Sequence, residues 1–147
     1  MAILNMRPIL ASLFILCSAN AASAEDEINS VTEVIQNYLD GTEFAKPELI
    51  EKAFTQSLEV QWLGEDDQLL RRSAPDYVDM FRDGEYRARK GTIVMLDVTD
   101  RAATAKVEIA WNNRIYTDYM LLLKVEGHWK ITNKIAVWTE QDSSEAE

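Results

Sequence analysis

The sequence predicts an α+β domain in which three N-terminal helices pack on a curved, mostly antiparallel β-sheet. Two periodicities predict it. Val31, Val34, Ile35, Tyr38 and Leu39 recur at helical spacing, whereas Val107, Ile109 and Trp111 recur at every second position. A third sign is the stretch from Tyr116 to Trp138, two apolar strands around Glu126-Gly127 that carry two of the four tryptophans.

In chain order, Met1–Ala24 has the form of a secretory signal. Arg7 supplies a weak positive region, Ile9–Cys17 an apolar one, and Ala22-Ser23-Ala24 a cleavage site before Glu25. The apolar run is far shorter than the ~20 residues of a membrane span. Removing these 24 residues from 147 leaves 123 without cysteine, because Cys17 is the only one, so no disulfide staples the domain. The same cut removes Arg7 and takes the formal charge from −10 to −11. An acidic exported domain is a poor partner for nucleic acid or an anionic membrane. The expected location is across the inner membrane, in the periplasm. The domain is expected over residues 25–140, with 141–147 an acidic disordered tail.

Ser30 with Glu33 has the spacing of a capping box, so the first helix is expected to open there and to end at Asp40-Gly41, with Gly41 as a left-handed C′ residue. Pro47 suits the first turn of a second helix, whose buried face is Leu49, Ile50, Ala53 and Phe54. Leu58, Val60 and Trp62 then alternate with Glu59 and Gln61 as a half-buried strand, and Gly64–Asp67 turns into a short strand at Gln68–Arg71. Ser73 and Asp76, with Pro75 between them, cap a third helix that buries Tyr77, Val78 and Phe81 before Asp83-Gly84. Strands are expected at Ala88–Thr99, Ala103–Asn112, Arg114–Val125 and Trp129–Val137.

The odd-numbered residues of the Ala103–Asn112 and Trp129–Val137 strands are the apolar ones. Three-residue loops at Asn112–Arg114 and Glu126–His128 pair odd with odd, and are the expected connections. That register turns Thr117, Tyr119 and Leu121 inward with Asn133, and leaves Tyr116, Met120, Leu122 and Trp138 on the outer face. Such an apolar outer face is expected to be covered by a second copy of the chain.

The segments VIQNYLDG at Val34–Gly41, ATAKVEIAW at Ala103–Trp111 and DYMLLLKVEGHWKITNK at Asp118–Lys134 resemble the nuclear-transport-factor-2-like (NTF2-like) superfamily. Within it they are similar to the putative lumazine-binding family, over most of the mature chain. The resemblance implies a cone with a cavity between the first helix and the concave sheet, used for catalysis in some members and for binding in others. It also places Tyr38 where steroid-isomerase relatives carry an oxyanion-binding tyrosine. Their general-base and acid positions fall near Trp62 and Leu121, which cannot carry a proton.

The expected ligand pocket is therefore Tyr38, Trp62, Trp111, Thr117, Tyr119, Leu121 and Asn133, apolar walls with a few polar groups. A cone filled by Trp62, Trp111 and Trp129 is the competing arrangement. Asp118 is expected to face outward and pair with a lysine or arginine, and His128 to sit in a solvated turn. No catalytic residue, metal site or cofactor is assigned. With no cysteine and one histidine in the mature chain, a transition-metal centre lacks ligands. The expected function is non-catalytic binding of a small apolar or aromatic molecule. An isomerase or dehydratase using Tyr38 as acid, and a purely structural dimerisation module, are the alternatives.

Overall fold

The computed structural model describes residues 15–141, with side chains from Ser23 onward. Its elements are α1 (Ile15–Glu43), α2 (Pro47–Ala53), β1 (Glu59–Leu63), β2 (Leu69–Ser73), α3 (Ala74–Asp79), β3 (Lys90–Thr99), β4 (Ala102–Trp111), β5 (Arg114–Val125) and β6 (His128–Glu140). One six-stranded sheet runs in the order β2-β1-β6-β5-β4-β3. Every neighbouring pair is antiparallel except β1 with β6. Only α1 and α2 precede the first strand; α3 lies between β2 and β3, in the order the local spacing gives, so two helices rather than three are N-terminal to the sheet.

Helix α1 does not open at Ser30. It is already helical at Ile15, and the Ser30 hydroxyl donates to the Asp26 carbonyl one turn back at 2.8 Å. From Ala11 to Asp40 there is no glycine or proline to end a helix, so the capping residues find no terminus to cap. The expected signal-peptide boundary at Ala24 falls within this helix, and residues 1–14 and 142–147 lie outside the described ones. Gly41 is likewise helical and buried rather than a left-handed stop. A Cβ there would come within 2.6 Å of Ile50 Cγ1 and 3.1 Å of the Lys46 carbonyl, so the missing side chain is what lets α2 pack against α1. Gly41→Ala is therefore expected to destabilise by about 1–3 kcal/mol, although alanine is the better helix former. Urea unfolding checks it, and a gain in stability would show that α2 moves away at no cost.

Val31, Ile35, Tyr38 and Leu39 of α1 are buried, with Ile50, Ala53 and Phe54 around α2 and Tyr77, Val78 and Phe81 around α3. Ser73 caps α3 as expected, its hydroxyl accepting from Asp76 N–H. These helices cover one face of the sheet, where Val60, Val107, Ile109, Met120, Leu122, Trp129 and Ile131 complete the core.

Both central hairpins turn in two residues, not three. Trp111 pairs with Arg114 and Val125 with His128, and the loops Asn112-Asn113 and Glu126-Gly127 have positive φ throughout (50°, 59°, 51° and 82°). Positive φ at both positions gives the turn whose twist matches paired strands. Odd residues of β4 thus face even residues of β5, as in Val107 with Asp118 and Ala105 with Met120. The second two-residue loop exchanges parity again, so the odd residues Trp129 and Ile131 of β6 stay inside. A bulge follows: Leu121 pairs with Asn133 but Leu122 with Ile131, leaving Thr132 unopposed, its hydroxyl donating to the Leu121 carbonyl at 3.1 Å. Past it the inward residues of β6 are Lys134, Ala136 and Trp138, while Ile135 and Val137 are exposed.

Candidate functional site

Because the even residues of β5 face the helices, Asp118 is carried into the interior. Lys134 follows on β6, directly across from Met120 and diagonal to Asp118 on the same face. Both are almost completely buried, and Lys134 Nζ lies 3.0 Å from Asp118 Oδ2. Tyr38 descends from α1 to meet them. Its hydroxyl donates to Asp118 Oδ2 at 2.7 Å and accepts from Lys134 Nζ at 3.0 Å. With the one phenolic proton committed to the carboxylate, the Tyr77 hydroxyl 3.2 Å away is the donor in the Tyr77–Tyr38 bond. Burial first, and then the neighbouring Asp118 carboxylate and Tyr77, push the Tyr38 phenol well above its ordinary range, so it stays protonated.

This cluster forms the floor of a cavity of about 240 Å³ that opens to solvent. Its walls are Val60, Trp62, Tyr116, Ala136, Val137 and Trp138, and it also takes in Tyr77, Asp118, Lys134, Arg72 and Arg89. The guanidinium of Arg89 lies 5.0 Å from the Trp111 ring and 5.9 Å from that of Phe81, Arg72 lies 5.2 Å from Trp62, and Arg114 packs 3.8 Å from Trp138. These rings are held by cation–π contacts as well as by packing.

Four other clefts are larger, and the two largest are about 540 Å³ each. In the one between α1 and the β5–β6 turn, the charged groups answer one another: Lys52 pairs with Glu33 and Lys124 with Glu27. Glu27 also accepts from the Trp129 indole at 2.7 Å, and the hydrogen bonds from Lys124 and Trp129 hold its carboxyl below the ordinary glutamate range. The cleft beside α3 is bordered by Glu51, Pro75 and Arg82, and Arg82 is paired with Glu51 and Asp79. Among the described residues none of the four is lined by a residue with a buried, unpartnered polar side-chain atom, whereas the smaller cavity is, which makes it the candidate site.

The residues expected from sequence divide sharply. Trp62 lines the cavity, Trp111 packs beside it at a tilt against Tyr116 with ring centres 5.9 Å apart, and Tyr38 lies fully buried behind its floor. Thr117, Tyr119, Leu121 and Asn133 do not belong to it, because the two-residue turns and the bulge place them on the opposite face, where Tyr119 and Leu121 are exposed. Nor do the expected outer-face residues lie outside. Met120 and Leu122 are each 1 % exposed within the core, and Tyr116 and Trp138 line the cavity. Asp118, expected to point outward, is 2 % exposed at the cavity floor and does pair with a lysine. Arg72, Arg89 and Lys134 were missed. A sign was present for the ion pair: Asp118 and Lys134 are isolated charges within strand segments that carry no other charge from Ile115 to Leu123 and from Ile131 to Trp138. His128 is the first residue of β6, beside the turn, its Nδ1 3.0 Å from the Glu126 carbonyl. Among the described residues no group of three or more His, Cys, Asp or Glu side chains could hold a metal, and no helix is long and apolar enough to cross a membrane.

Several solved structures share this architecture. An NTF2-like protein of unknown function from Shewanella baltica is 23 % identical with a TM-score of 0.73, over 80 % of this chain and 97 % of that one. One from Methylobacillus flagellatus is 27 % identical with a TM-score of 0.69, over 78 % and 93 %. A protein from Novosphingobium aromaticivorans described as a putative scytalone dehydratase is 13 % identical with a TM-score of 0.62, over 86 % and 99 %. No curated protein matches the chain. The family model described as putative lumazine-binding matches residues 26–136. With the α+β fold, the six-stranded curved sheet and this match over most of its length, the chain belongs to the putative lumazine-binding family of NTF2-like proteins.

Proposed function

We propose that the protein binds one small ring-shaped molecule in the cavity between β1, β5, β6 and α3, and that binding rather than turnover is its role. The observation that carries this reading is the cavity itself, aromatic at Trp62, Tyr116 and Trp138 and polar at its floor. A cavity of about 150 Å³ accommodates benzene, so about 240 Å³ suits a single substituted ring. Tyr38 supports binding over acid catalysis, since its proton is engaged by Asp118 and its ring does not line the cavity. Trp62 and Trp138 make the test direct. Saturable quenching of tryptophan emission, with a rise in melting temperature, is expected for a subset of one-ring compounds in a panel. Unchanged emission and stability across the whole panel would refute the reading.

A proton-transfer enzyme is the second reading, favoured by one observation. Asp118 lines the cavity, and both of its hydrogen bonds, from Tyr38 and Lys134, land on Oδ2. Turnover within the same panel that disappears in Asp118→Asn while binding persists would establish it.

Two further proposals concern where and in what form the protein acts. The apolar run and Ala22-Ser23-Ala24 support export across the inner membrane to the periplasm, with Glu25 as the mature N-terminus. Glu27, next to that terminus, is held by Lys124 and Trp129. The exposed apolar side chains Tyr119, Leu121, Leu123 and Ile135 support a homodimer through the outer sheet face.

A further inference from the structure

We propose that the molecule bound in this cavity is an anion, a one-ring compound bearing a carboxylate, with its acid group held by Arg89 and Arg72 and its ring against Trp62 and Trp138. The proposal rests on the binding reading above and names the class of ligand.

The chain carries 25 acidic residues against 15 basic ones, so a cation without an acidic partner is against the odds of its composition. Arg71, Arg82, Arg87 and Arg101 each pair with a carboxylate. Arg72, Arg89 and Arg114 have no carboxylate within 4.0 Å among the described residues, and of these Arg72 and Arg89 line the cavity. Arg89 is the stronger case, because its buried Nε donor has no hydrogen-bond acceptor. Buried donors are nearly always bonded, so the unpaired Nε leaves the Arg89 guanidinium, which lines the cavity, short of an acceptor within the protein. Lys134 does not compete for that acceptor, being engaged by Asp118 and Tyr38. The floor is therefore internally neutralised, and the surplus charge of the cavity belongs to the two guanidiniums.

Shape selects among anions. A guanidinium presents a planar fork that matches a carboxylate with two parallel hydrogen bonds. The remaining walls are aromatic and aliphatic side chains rather than further cations, which suits a flat ring and gives a tetrahedral polyanion no additional charge partner. The acidic exterior does not prevent entry, because its repulsion is screened within about 8 Å at physiological salt.

Benzoate and benzamide test this, since they share a ring and an outline and differ in charge. Titration followed by tryptophan emission is expected to show benzoate binding about tenfold or more tighter than benzamide. Arg89→Gln should weaken benzoate about tenfold and leave benzamide within about twofold. Should Arg89→Gln fail to fold, Arg72→Gln reads the same discrimination from the half-buried side of the cavity, with a loss of about threefold or more for benzoate alone. Benzamide binding as tightly as benzoate would overturn the anion proposal while leaving a binding cavity in place. So would folded Arg89→Gln and Arg72→Gln proteins that both retain wild-type benzoate affinity. If no one-ring compound binds, charged or neutral, the binding reading itself fails and the ligand class falls with it.

Discussion

Lys134→Met is expected to lower stability by about 3–5 kcal/mol, as removal of one member of a buried ion pair typically does. Lys134 and Asp118 have side chains 4 % and 2 % exposed, so water cannot replace the lost ammonium. Asp118 would keep only the hydrogen bond from Tyr38 on Oδ2. For a domain of this size that corresponds to a melting temperature lower by about 10–20 °C. The pair is not required for stability as such, since desolvating two ions offsets most of their attraction. Asp118→Leu combined with Lys134→Met should accordingly lie closer to wild type than Lys134→Met alone, with Tyr38 still bonded to Tyr77. Thermal or urea unfolding of the two proteins decides it. A Lys134→Met protein within about 1 kcal/mol of wild type would mean that the pair is reached by water and that the floor of the cavity is not closed.

The sequence displayed the elements of this fold far better than it displayed the site, and the reason lies in parity. Helix α2, the Ser73 cap of α3 and the apolar alternation of β1 and β4 follow from local spacing, and local spacing survives in the structure. Which face Asp118, Tyr116 or Trp138 occupies depends instead on the residue count in two turns and on one bulge. A shift of one residue moves every side chain of a strand to the other face. Odd residues inside both β4 and β6 are compatible with three-residue loops at both ends of β5, and equally with two-residue loops, because parity is exchanged twice. Asn112-Asn113 and Glu126-Gly127 were the available clue, being residues that tolerate positive φ. Thr132 gave none, since nothing in ITNKIAVW distinguishes a bulge from a continuous strand. Arg89 lies in the irregular segment between α3 and β3, where no periodicity assigns a side chain to a face. Ser30 and Gly41 illustrate the converse error, since a capping motif has meaning only where the helix ends.

Leu121→Glu is expected to convert a dimer of this protein into monomers while leaving the fold intact. Leu121 is 56 % exposed near the middle of β5, with Tyr119, Leu123 and Ile135 exposed on the same face. The helices lie on the opposite face, so no element of the described chain covers these side chains. A two-fold interface uses the same patch on both copies, so the substitution removes two leucines and introduces two carboxylates into one apolar contact. Each buried leucine contributes about 1.5–3 kcal/mol, and each unpaired carboxylate opposes burial further. Together these weaken association by about a hundredfold or more. Sedimentation equilibrium should find twice the chain mass for wild type and a single chain for the variant. A monomeric wild type, or a Leu121→Glu protein that remains dimeric, sinks the proposal. Leu122→Glu supplies the contrast that tests the register as well. Leu122 is 1 % exposed against the helices, so a charge there should abolish folding rather than assembly. If the two variants exchanged behaviours, the odd residues of β5 would have to face the core, and Asp118 would leave the cavity.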